Sequence, residues 1–159
     1  MRRKDRELIN QEDYVQVLEE CKVCRIAMID KEKPYVIPMN FGYEFKGHEL
    51  TLYLHCSSEG RKINALTANN EVCFEMDCMH ELIEGKTACS YGYAYASIIG
   101  DGKVEFIEDL QEKEIALKGI MKHQTDKDDF VFEESVVRNV TVFRIVSTSF
   151  TGKSRKKKI

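Results

Sequence analysis

The sequence predicts a mainly β protein, a small antiparallel barrel of Greek-key type with a few short helices inserted. Six segments have the apolar or alternating pattern of strands, at residues 23–30, 35–43, 50–56, 72–77, 91–107 and 140–150. Short polar turns at residues 31–33 and 46–47 favour antiparallel pairing of the strands they join. With 159 residues, 43% of them hydrophobic, the chain is long enough to form one domain with its own core.

Composition argues against several classes of protein. No apolar run approaches the length of a membrane span, and the first ten residues are too charged for the apolar part of a secretory signal. The six cysteines are therefore expected to stay reduced in the cytoplasm rather than to form a disulfide framework.

Charge is unevenly distributed along the chain. Residues 153–158 carry five positive charges, and removing them from the net charge of −3 leaves −8 for the rest. An acidic body argues against a nucleic-acid-binding surface. The sequence therefore predicts one domain over residues 1–152 and a short, solvated basic tail at residues 153–159, with contact to RNA or lipid as the alternative for the tail.

The chain begins with a predicted helix that leads into the first strand. Apolar residues from Tyr14 to Cys21 recur at helical spacing after a start signal at residues 10–13. Cys21 and Cys24 form a CxxC pair, but no second pair stands at zinc-finger spacing. We interpret the pair as structural, with metal or redox chemistry as the alternative.

A proline interrupts the second strand segment. Pro38 lacks a backbone donor, so this segment is expected at a sheet edge or at a break in strand pairing. Backbone groups at Met39, Asn40 and Phe41 would then be free to contact something other than a neighbouring strand.

The third strand segment has two different faces. Leu50, Leu52 and Leu54 share the face expected in the core. Tyr53 and His55 lie on the opposite face. An aromatic surface and a titratable ring therefore lead directly into the next motif.

The strongest functional signal lies at residues 57–62, where a helix is predicted to begin. A helix N-terminus presents free backbone N–H groups and the positive end of the helix dipole. The Ser57 hydroxyl and the close approach allowed at Gly60 suit an anion. Arg61 and Lys62 add charged donors of the kind that phosphate needs. The alternative is that a serine merely caps the helix and the basic pair is solvated.

The second half of the chain adds a predicted loop at residues 80–90, a long strand and a helix at residues 109–123. Gly92, Ala94 and Ala96 leave one face of the long strand nearly bare. Such a face invites close approach by another backbone, a subunit or a flat ligand.

Arg144 interrupts the last strand segment, which is otherwise apolar on both faces. A charged side chain in such a strand needs a partner, either a carboxylate or a bound anion. We expect the carboxylate.

Several of these segments recur in the same order in one family. They are CRIAM at residues 24–28, PYVIPMNFGY at 34–43, LYLH at 52–55, EGRK at 59–62, VCFEMD at 72–77 and SIIGDG at 97–102. Over residues 6–153 the chain resembles the pyridoxamine 5′-phosphate oxidase-like flavin-binding proteins, specifically the branch that includes the nitroimidazole-resistance proteins.

This resemblance implies a split β-barrel that works as a homodimer and binds flavin mononucleotide (FMN) at the subunit interface. Arg61 and Lys62 would hold the phosphate, and His55 would lie near the reactive edge of the flavin ring. The other cofactor-binding residues implied are Pro38, Met39, Asn40 and Phe41 along the ring, Tyr53, Ser57 and Gly60 nearby, and Ser97, Ile98 and Gly100 from the other subunit.

One residue departs from the branch that the chain resembles. The residue after the histidine is usually small there, often glycine, whereas this chain has Cys56. Local contacts at this position therefore differ, and thiol chemistry is an open alternative.

The resemblance favours an FMN-dependent oxidoreductase that passes electrons from NADH or NADPH to a small organic acceptor, as a nitroimidazole reductase would. His55 would be the catalytic proton donor, because the ordinary pKa of histidine lies near neutrality. The alternative role for His55 is a hydrogen bond to the flavin or to a backbone carbonyl.

Two other functions stay open at this stage. The first is a non-catalytic FMN-binding protein for flavin storage, sensing or electron transfer, and the second is the same barrel with haem or a deazaflavin. Oxidation of pyridoxamine phosphate itself is disfavoured, because the sequence shows no second basic cluster suited to a substrate phosphate.

Overall fold

A computed structural model describes residues 3–156 of the chain, so the end of the predicted tail, residues 157–159, lies outside the described residues. Seven antiparallel strands form one sheet in the order β2-β1-β5-β6-β7-β4-β3. The strands are β1 (Val23–Asp30), β2 (Lys33–Asn40), β3 (Gly42–Lys46), β4 (Glu49–Cys56), β5 (Glu71–Ile83), β6 (Gly92–Ile107) and β7 (Thr141–Arg155).

The sheet is rolled into a split barrel. Its two edge strands, β2 and β3, stand at opposite ends of the strand order, yet only Phe41 separates them in the chain. One residue can join both edges only if the sheet curls until they meet. The mainly β prediction is confirmed, and the predicted strand at residues 35–43 is divided in two at Phe41.

Pro38 lies on an edge strand, as the sequence predicts. It pairs with Arg25 of β1, and β1 is the only strand beside β2 in the described sheet. The break in pairing comes three residues later than the proline, where the Phe41 side chain is fully buried.

The predicted loop at residues 80–90 is partly wrong. β5 continues to Ile83 across an irregularity between Cys78 and Glu81, where Met79 has a φ of +58°. A local kink of this kind lets a strand turn without ending it. β7 is also longer than predicted, since pairing with β6 continues through Arg155. The first three residues of the predicted tail therefore belong to the sheet.

Four helices cover the barrel. They are α1 (Gln11–Glu20), α2 (Arg61–Ala68), α3 (Leu110–Thr125) and α4 (Glu134–Asn139), with single 3₁₀ turns at Lys4–Arg6 and Ala88–Ser90. The sequence pattern did not predict α4.

The protein has two apolar cores. The main core fills the barrel and includes Leu50, Leu52 and Leu54 of β4, each at most 1% exposed. A second core lies outside the barrel, where Leu117 of α3 and Val137 of α4 pack over β4 and β7, with Tyr53 against them. The polar face of β4 predicted from sequence is thus partly covered by the chain's own helices.

Helix α3 packs directly on the split. A Cβ atom at Gly42 would lie 2.6 Å from the Ile120 backbone nitrogen, so only glycine allows this approach. The Gln124 side-chain amide donates to the carbonyls of Lys22 and Phe41, at 3.1 and 3.0 Å, and accepts from Asn40 at 3.1 Å. The end of α3 therefore fastens the start of β1 to the junction of β2 and β3.

The bare face of β6 is filled by this chain rather than by another molecule. Ala94 and Ala96 are 5% and 2% exposed, and α1 contacts the strand. A Cβ atom at Gly92 would lie 2.5 Å from the Arg155 guanidinium. The small residues therefore serve packing within the chain.

Two other expectations are settled by side-chain contacts. Arg144 pairs with carboxylates, at 2.8 Å from Glu105 and 3.7 Å from Glu112, which confirms the expected type of partner. Cys21 and Cys24 are buried, and the Cys24 thiol donates to the Met39 carbonyl at 3.6 Å.

Residues 3–156 contain no group of three or more potential metal ligands, and no helix among them is long and apolar enough to cross a membrane.

Candidate functional site

The N-terminus of α2 is open, as an anion site requires. Gly60 is the N-cap residue with a φ of +126°, and no side chain caps the helix. The first bond at this end runs from the Asn64 N–H to the Gly60 carbonyl at 3.2 Å. The helix therefore leaves the N–H groups of its first turn without partners of its own. The alternative that a serine caps α2 is wrong.

Arg61 is held in a fixed direction by two neighbours. Its Nε donates to the Asp30 carboxylate at 2.7 Å, and its guanidinium carbon lies 4.0 Å from the centre of the Tyr35 ring. Neither terminal nitrogen of Arg61 is hydrogen-bonded to a residue that the structure describes. A planar guanidinium anchored through Nε and one face presents those two nitrogens as a fork suited to phosphate.

His55 and Lys62 lie beside this open helix end. His55 is exposed on β4, whereas Lys62 in the first turn of α2 is half-buried. Desolvation, aided by the positive charge of Lys62, lowers the pKa of His55. The neutral imidazole is therefore favoured at neutral pH, and a smaller fraction of His55 is protonated there than its ordinary pKa implies.

A groove of about 520 Å³ opens next to His55. Residues 55–57 form one wall, and Ser135, Val136 and Asn139 of α4 form the other. Sequence reasoning missed this wall, because it missed α4. The Cys56 thiol is buried and desolvation raises its pKa, which disfavours thiol chemistry.

The residues predicted along the flavin ring differ in accessibility. Pro38 is exposed on the outer face of the barrel, whereas Met39 and Phe41 point into the main core. Asn40 is hydrogen-bonded to the Lys22 carbonyl and Gln124. Pro38 stands three residues beyond Tyr35, about 10 Å along an extended strand from the residue that contacts Arg61.

The predicted cofactor-binding residues Ser97, Ile98 and Gly100 lie far from the residues around Arg61. Ile98 is fully buried, and Gly100 is packed between the rings of Phe74 and Phe150. Ser97 pairs with Asp77 on one side and Lys153 on the other. Strand register puts Ser97 about level with Val23, at the opposite end of β1 from Asp30, a separation of roughly 23 Å along the strand.

The chain therefore brings together His55, Ser57, Gly60, Arg61 and Lys62, with Pro38 within reach. In their chemistry these residues fit the phosphate end of FMN, because an uncapped helix N-terminus with open space at Gly60 is followed directly by a guanidinium anchored through Nε and by a lysine. Asp30 and Tyr35 complete the arrangement, and nothing in the spacing of the motif identified them.

Comparison with known proteins shows the family. Residues 10–154 match the family model described as pyridoxamine 5′-phosphate oxidase. A comparison with curated proteins finds no match.

Solved structures with the same fold include proteins that bind flavins. A candidate 5-nitroimidazole antibiotic resistance protein from Bacteroides thetaiotaomicron is 40% identical, with a TM-score of 0.81 over 93% of this chain and 86% of that one. The flavocytochrome Anf3 from Azotobacter vinelandii is 19% identical, with a TM-score of 0.79 over 98% of this chain and 72% of that one. An FAD- and haem-binding protein from Mycobacterium smegmatis is 14% identical, with a TM-score of 0.79 over 97% and 76%.

At these identities the last two proteins show the fold alone. The family model and the 40% identical structure each extend over nearly the whole chain. The chain therefore belongs to the pyridoxamine 5′-phosphate oxidase family.

Proposed function

We propose that the protein is an FMN-dependent oxidoreductase that passes electrons from NADH or NADPH to a small organic acceptor. The observation that carries the proposal is the fixed Arg61 fork beside the open N-terminus of α2. Phosphate is the group of FMN that such donors recognise, and the family membership supports a flavin. The 40% identical neighbour, named for nitroimidazole resistance, supports a nitroaromatic acceptor.

In this proposal the chain's own residues bind and orient, and one of them carries a proton. Bound FMN supplies the redox chemistry. Arg61, Lys62 and the first N–H groups of α2 hold its phosphate, and Pro38 borders the ring. His55 holds a proton at the edge of the groove beside α4, where an acceptor can enter.

We also propose a homodimer with two flavins at its interface. The outer face of β1, β2 and β6 exposes four apolar side chains, between 39% and 56% of each, and a second copy would cover them. They are Val23, Ile29, Val36 and Ile99. A two-fold partner would bring a second Ser97 segment toward the Arg61 end, which one chain cannot do. Light scattering should give the mass of two chains at micromolar concentration, and a single-chain mass with FMN bound would contradict the dimer.

The same proposal places the protein in the cytoplasm. All six cysteines are free, and the proposed reductants are cytoplasmic compounds.

The cofactor is tested first, by the absorption spectrum of the purified protein and by calorimetry. We expect an FMN spectrum and tighter binding of FMN than of riboflavin, which lacks the phosphate. Haem or deazaflavin absorption, or equal affinity for the two flavins, would overturn the FMN assignment.

Catalysis is tested separately, by anaerobic mixing of the FMN-loaded protein with NADH or NADPH and then with a nitroaromatic compound or a quinone. We expect the flavin absorbance to bleach with the reductant and return with the acceptor. A flavin that neither reductant bleaches would identify a carrier or storage protein instead of an enzyme.

A further inference from the structure

The basic residues near the C-terminus are built into the sheet. Lys153 pairs with Ser97 and Arg155 with Tyr95, both across the β6–β7 ladder. The N-terminal segment joins them, since Glu7 bridges to Lys153 and the Leu8 N–H donates to the Gly152 carbonyl at 3.0 Å. This pairing holds the 3₁₀ turn that ends at Arg6 beside β7.

Two of these cations converge on one aromatic ring. The Lys153 ammonium lies 5.9 Å from the centre of the Tyr95 ring, and the pairing of Glu7 with Lys153 holds Arg6 close to the same strand. Desolvation acts to raise the pKa of Tyr95, but the interactions with Arg6 and Lys153 outweigh it, and the pKa is lowered. Both cations therefore act on this one ring.

Arg155 extends the same cluster along the strand. Its guanidinium lies 2.5 Å from where a Cβ atom at Gly92 would be, so it occupies the space beside that glycine. The face of β6 with small side chains, where the sequence predicted the close approach of another backbone, a subunit or a flat ligand, thus accommodates an arginine. Lys156 follows it at the end of the described chain.

These cations lack carboxylate partners. Between residues 3 and 156, no carboxylate lies within ion-pair distance of Lys153, Arg155 or Lys156, and Arg6 approaches Asp5 only at 3.9 Å. Three arginines of the barrel surface differ from them, since Arg25, Arg61 and Arg144 all have carboxylate partners. Four neighbouring like charges repel one another, so a bound anion would stabilise them.

Arg6, Arg155 and Lys156 line a groove of a size that suits a small molecule, and Lys153 lies beside it at the Tyr95 ring. Two adjoining cavities of about 700 and 690 Å³ share Leu8, Asp13, Ser154, Arg155 and Lys156. Pockets of about 300 to 1,000 Å³ are typical of small-ligand sites. The walls also carry four carboxylates, Asp5, Glu7, Asp13 and Glu81, and this negative charge beside the cations disfavours a long polyanion such as RNA.

We propose that this basic groove, lined by Arg6, Arg155 and Lys156 and flanked by Lys153 at the Tyr95 ring, binds the phosphate or pyrophosphate group of a small organic molecule. Guanidinium and ammonium groups together supply fork-like and point-like donors to phosphate oxygens. The groove lies at the opposite end of the sheet from Arg61, so its ligand is not the phosphate of an FMN held by the same chain. The sequence did not place these basic residues together, because Arg6 and Lys153 are far apart in it.

The test uses inorganic pyrophosphate as the probe, titrated by calorimetry into the FMN-loaded protein so that the Arg61 site is occupied. Lys153→Gln and Arg6→Gln should each weaken pyrophosphate binding at least tenfold. The matched control is Lys103→Gln, an exposed lysine of β6 that lies 3.7 Å from Glu71, and it should leave the affinity unchanged.

A parallel titration uses the Arg61→Ala variant, so that a failure of the FMN proposal is distinguishable. If pyrophosphate still binds Arg61→Ala and is lost in Lys153→Gln, the basic groove holds it whatever the cofactor is. No saturable binding to the parent protein, or equal affinity in the parent and Lys153→Gln, overturns the proposal. Loss of binding in Arg61→Ala alone would also overturn it, since the anion would then occupy the α2 site.

The source of the phosphate is distinguished by repeating the titrations with NADH and NADPH. If Lys153→Gln weakens the affinity for both dinucleotides by the factor seen for pyrophosphate, the shared pyrophosphate is the ligand group. If it weakens NADPH alone, the ligand group is the 2′-phosphate. If pyrophosphate binding falls while both dinucleotides are unaffected, the groove serves another organic phosphate.

Discussion

Two groups of cations stand at opposite ends of the same sheet, and they are organised in different ways. At the α2 end, Arg61 is paired with Asp30 and packed on Tyr35, so its charge is partly offset and its direction is fixed. In the basic groove, Lys153 and Arg155 have no carboxylate partner among the described residues, so their charge is strong and less directed. The α2 end is therefore suited to one ligand geometry, whereas the groove is suited to a class of anions.

The largest expected effect is a loss of FMN affinity, and it tests whether the α2 end alone recognises FMN. Arg61→Ala should weaken FMN binding at least about 100-fold, because each charge-assisted hydrogen bond contributes roughly 1.5–3 kcal/mol and two are lost. Riboflavin affinity should change little, and Lys153→Ala should alter neither. Calorimetry with both flavins measures this, and a similar loss in the two variants would remove the distinction between the two ends.

The second prediction concerns the proton that His55, beside the N-terminus of α2, is proposed to donate. His55→Ala should retain FMN but slow reoxidation by a nitroaromatic acceptor by about 100-fold, the lower end of the usual contribution of a general acid. Because the pKa of His55 lies below its ordinary value, the parent rate should rise as pH falls below about 6.5.

Stopped-flow absorbance between about pH 5 and 8 measures this profile around the ordinary pKa of histidine. The variant should lose the pH dependence, whereas His48→Ala, in the turn between β3 and β4, should keep it. Unchanged turnover and an unchanged profile in His55→Ala would show that His55 is not the proton donor.

The third prediction concerns the effect of Asp30 on FMN binding. It tests whether holding the Arg61 side chain in one direction affects the affinity more than partly neutralising its charge. Asp30→Asn should weaken FMN binding about fivefold, because the guanidinium regains the rotational freedom that ordering it removes. Glu44→Gln, which removes the exposed partner of Lys46, should have no such effect. Tighter FMN binding in Asp30→Asn, measured by the same calorimetry, would mean that the carboxylate competes with the phosphate.

The smallest expected effect concerns the basic groove. Lys153→Gln should raise the pKa of Tyr95 toward its ordinary value, since one of the two cations that favour the phenolate is lost. The absorbance titration of each protein minus that of its Tyr95→Phe counterpart isolates this one tyrosine. If the pKa does not move, Lys153 exerts no field on the ring.

Much of the fold could be predicted because its determinants are local. The alternation of leucines in β4 and the proline in β2 placed those strands correctly, since face and edge position depend on residue type within a few positions. The division at Phe41 and the helix α4 could not be predicted in this way. Both depend on packing against α3, which lies some 80 residues beyond Phe41 in the sequence.

The residues of the candidate site also divide into those that are neighbours in sequence and those that meet only in the fold. Gly60, Arg61 and Lys62 could be proposed from the sequence because they adjoin one another at a helix start. Asp30 and Tyr35 reach Arg61 only through the sheet, and Arg6 reaches Lys153 only because the two chain ends pair. Composition does not distinguish one basic residue from another. The contacts that each basic side chain makes in the structure do distinguish them.

The split at Phe41 also bears on the order in which the molecule folds. Neither edge of the sheet is secured until Gln124 reaches the Phe41 carbonyl from 83 residues away. Contacts so distant in sequence form slowly, and the open edges of β2 and β3 can meanwhile pair with other chains. Barrel closure is therefore expected to be the late step, and nascent chains are most prone to aggregate while α3 is still being made. Gln124→Ala should accelerate unfolding more than it slows refolding, as measured by stopped-flow circular dichroism.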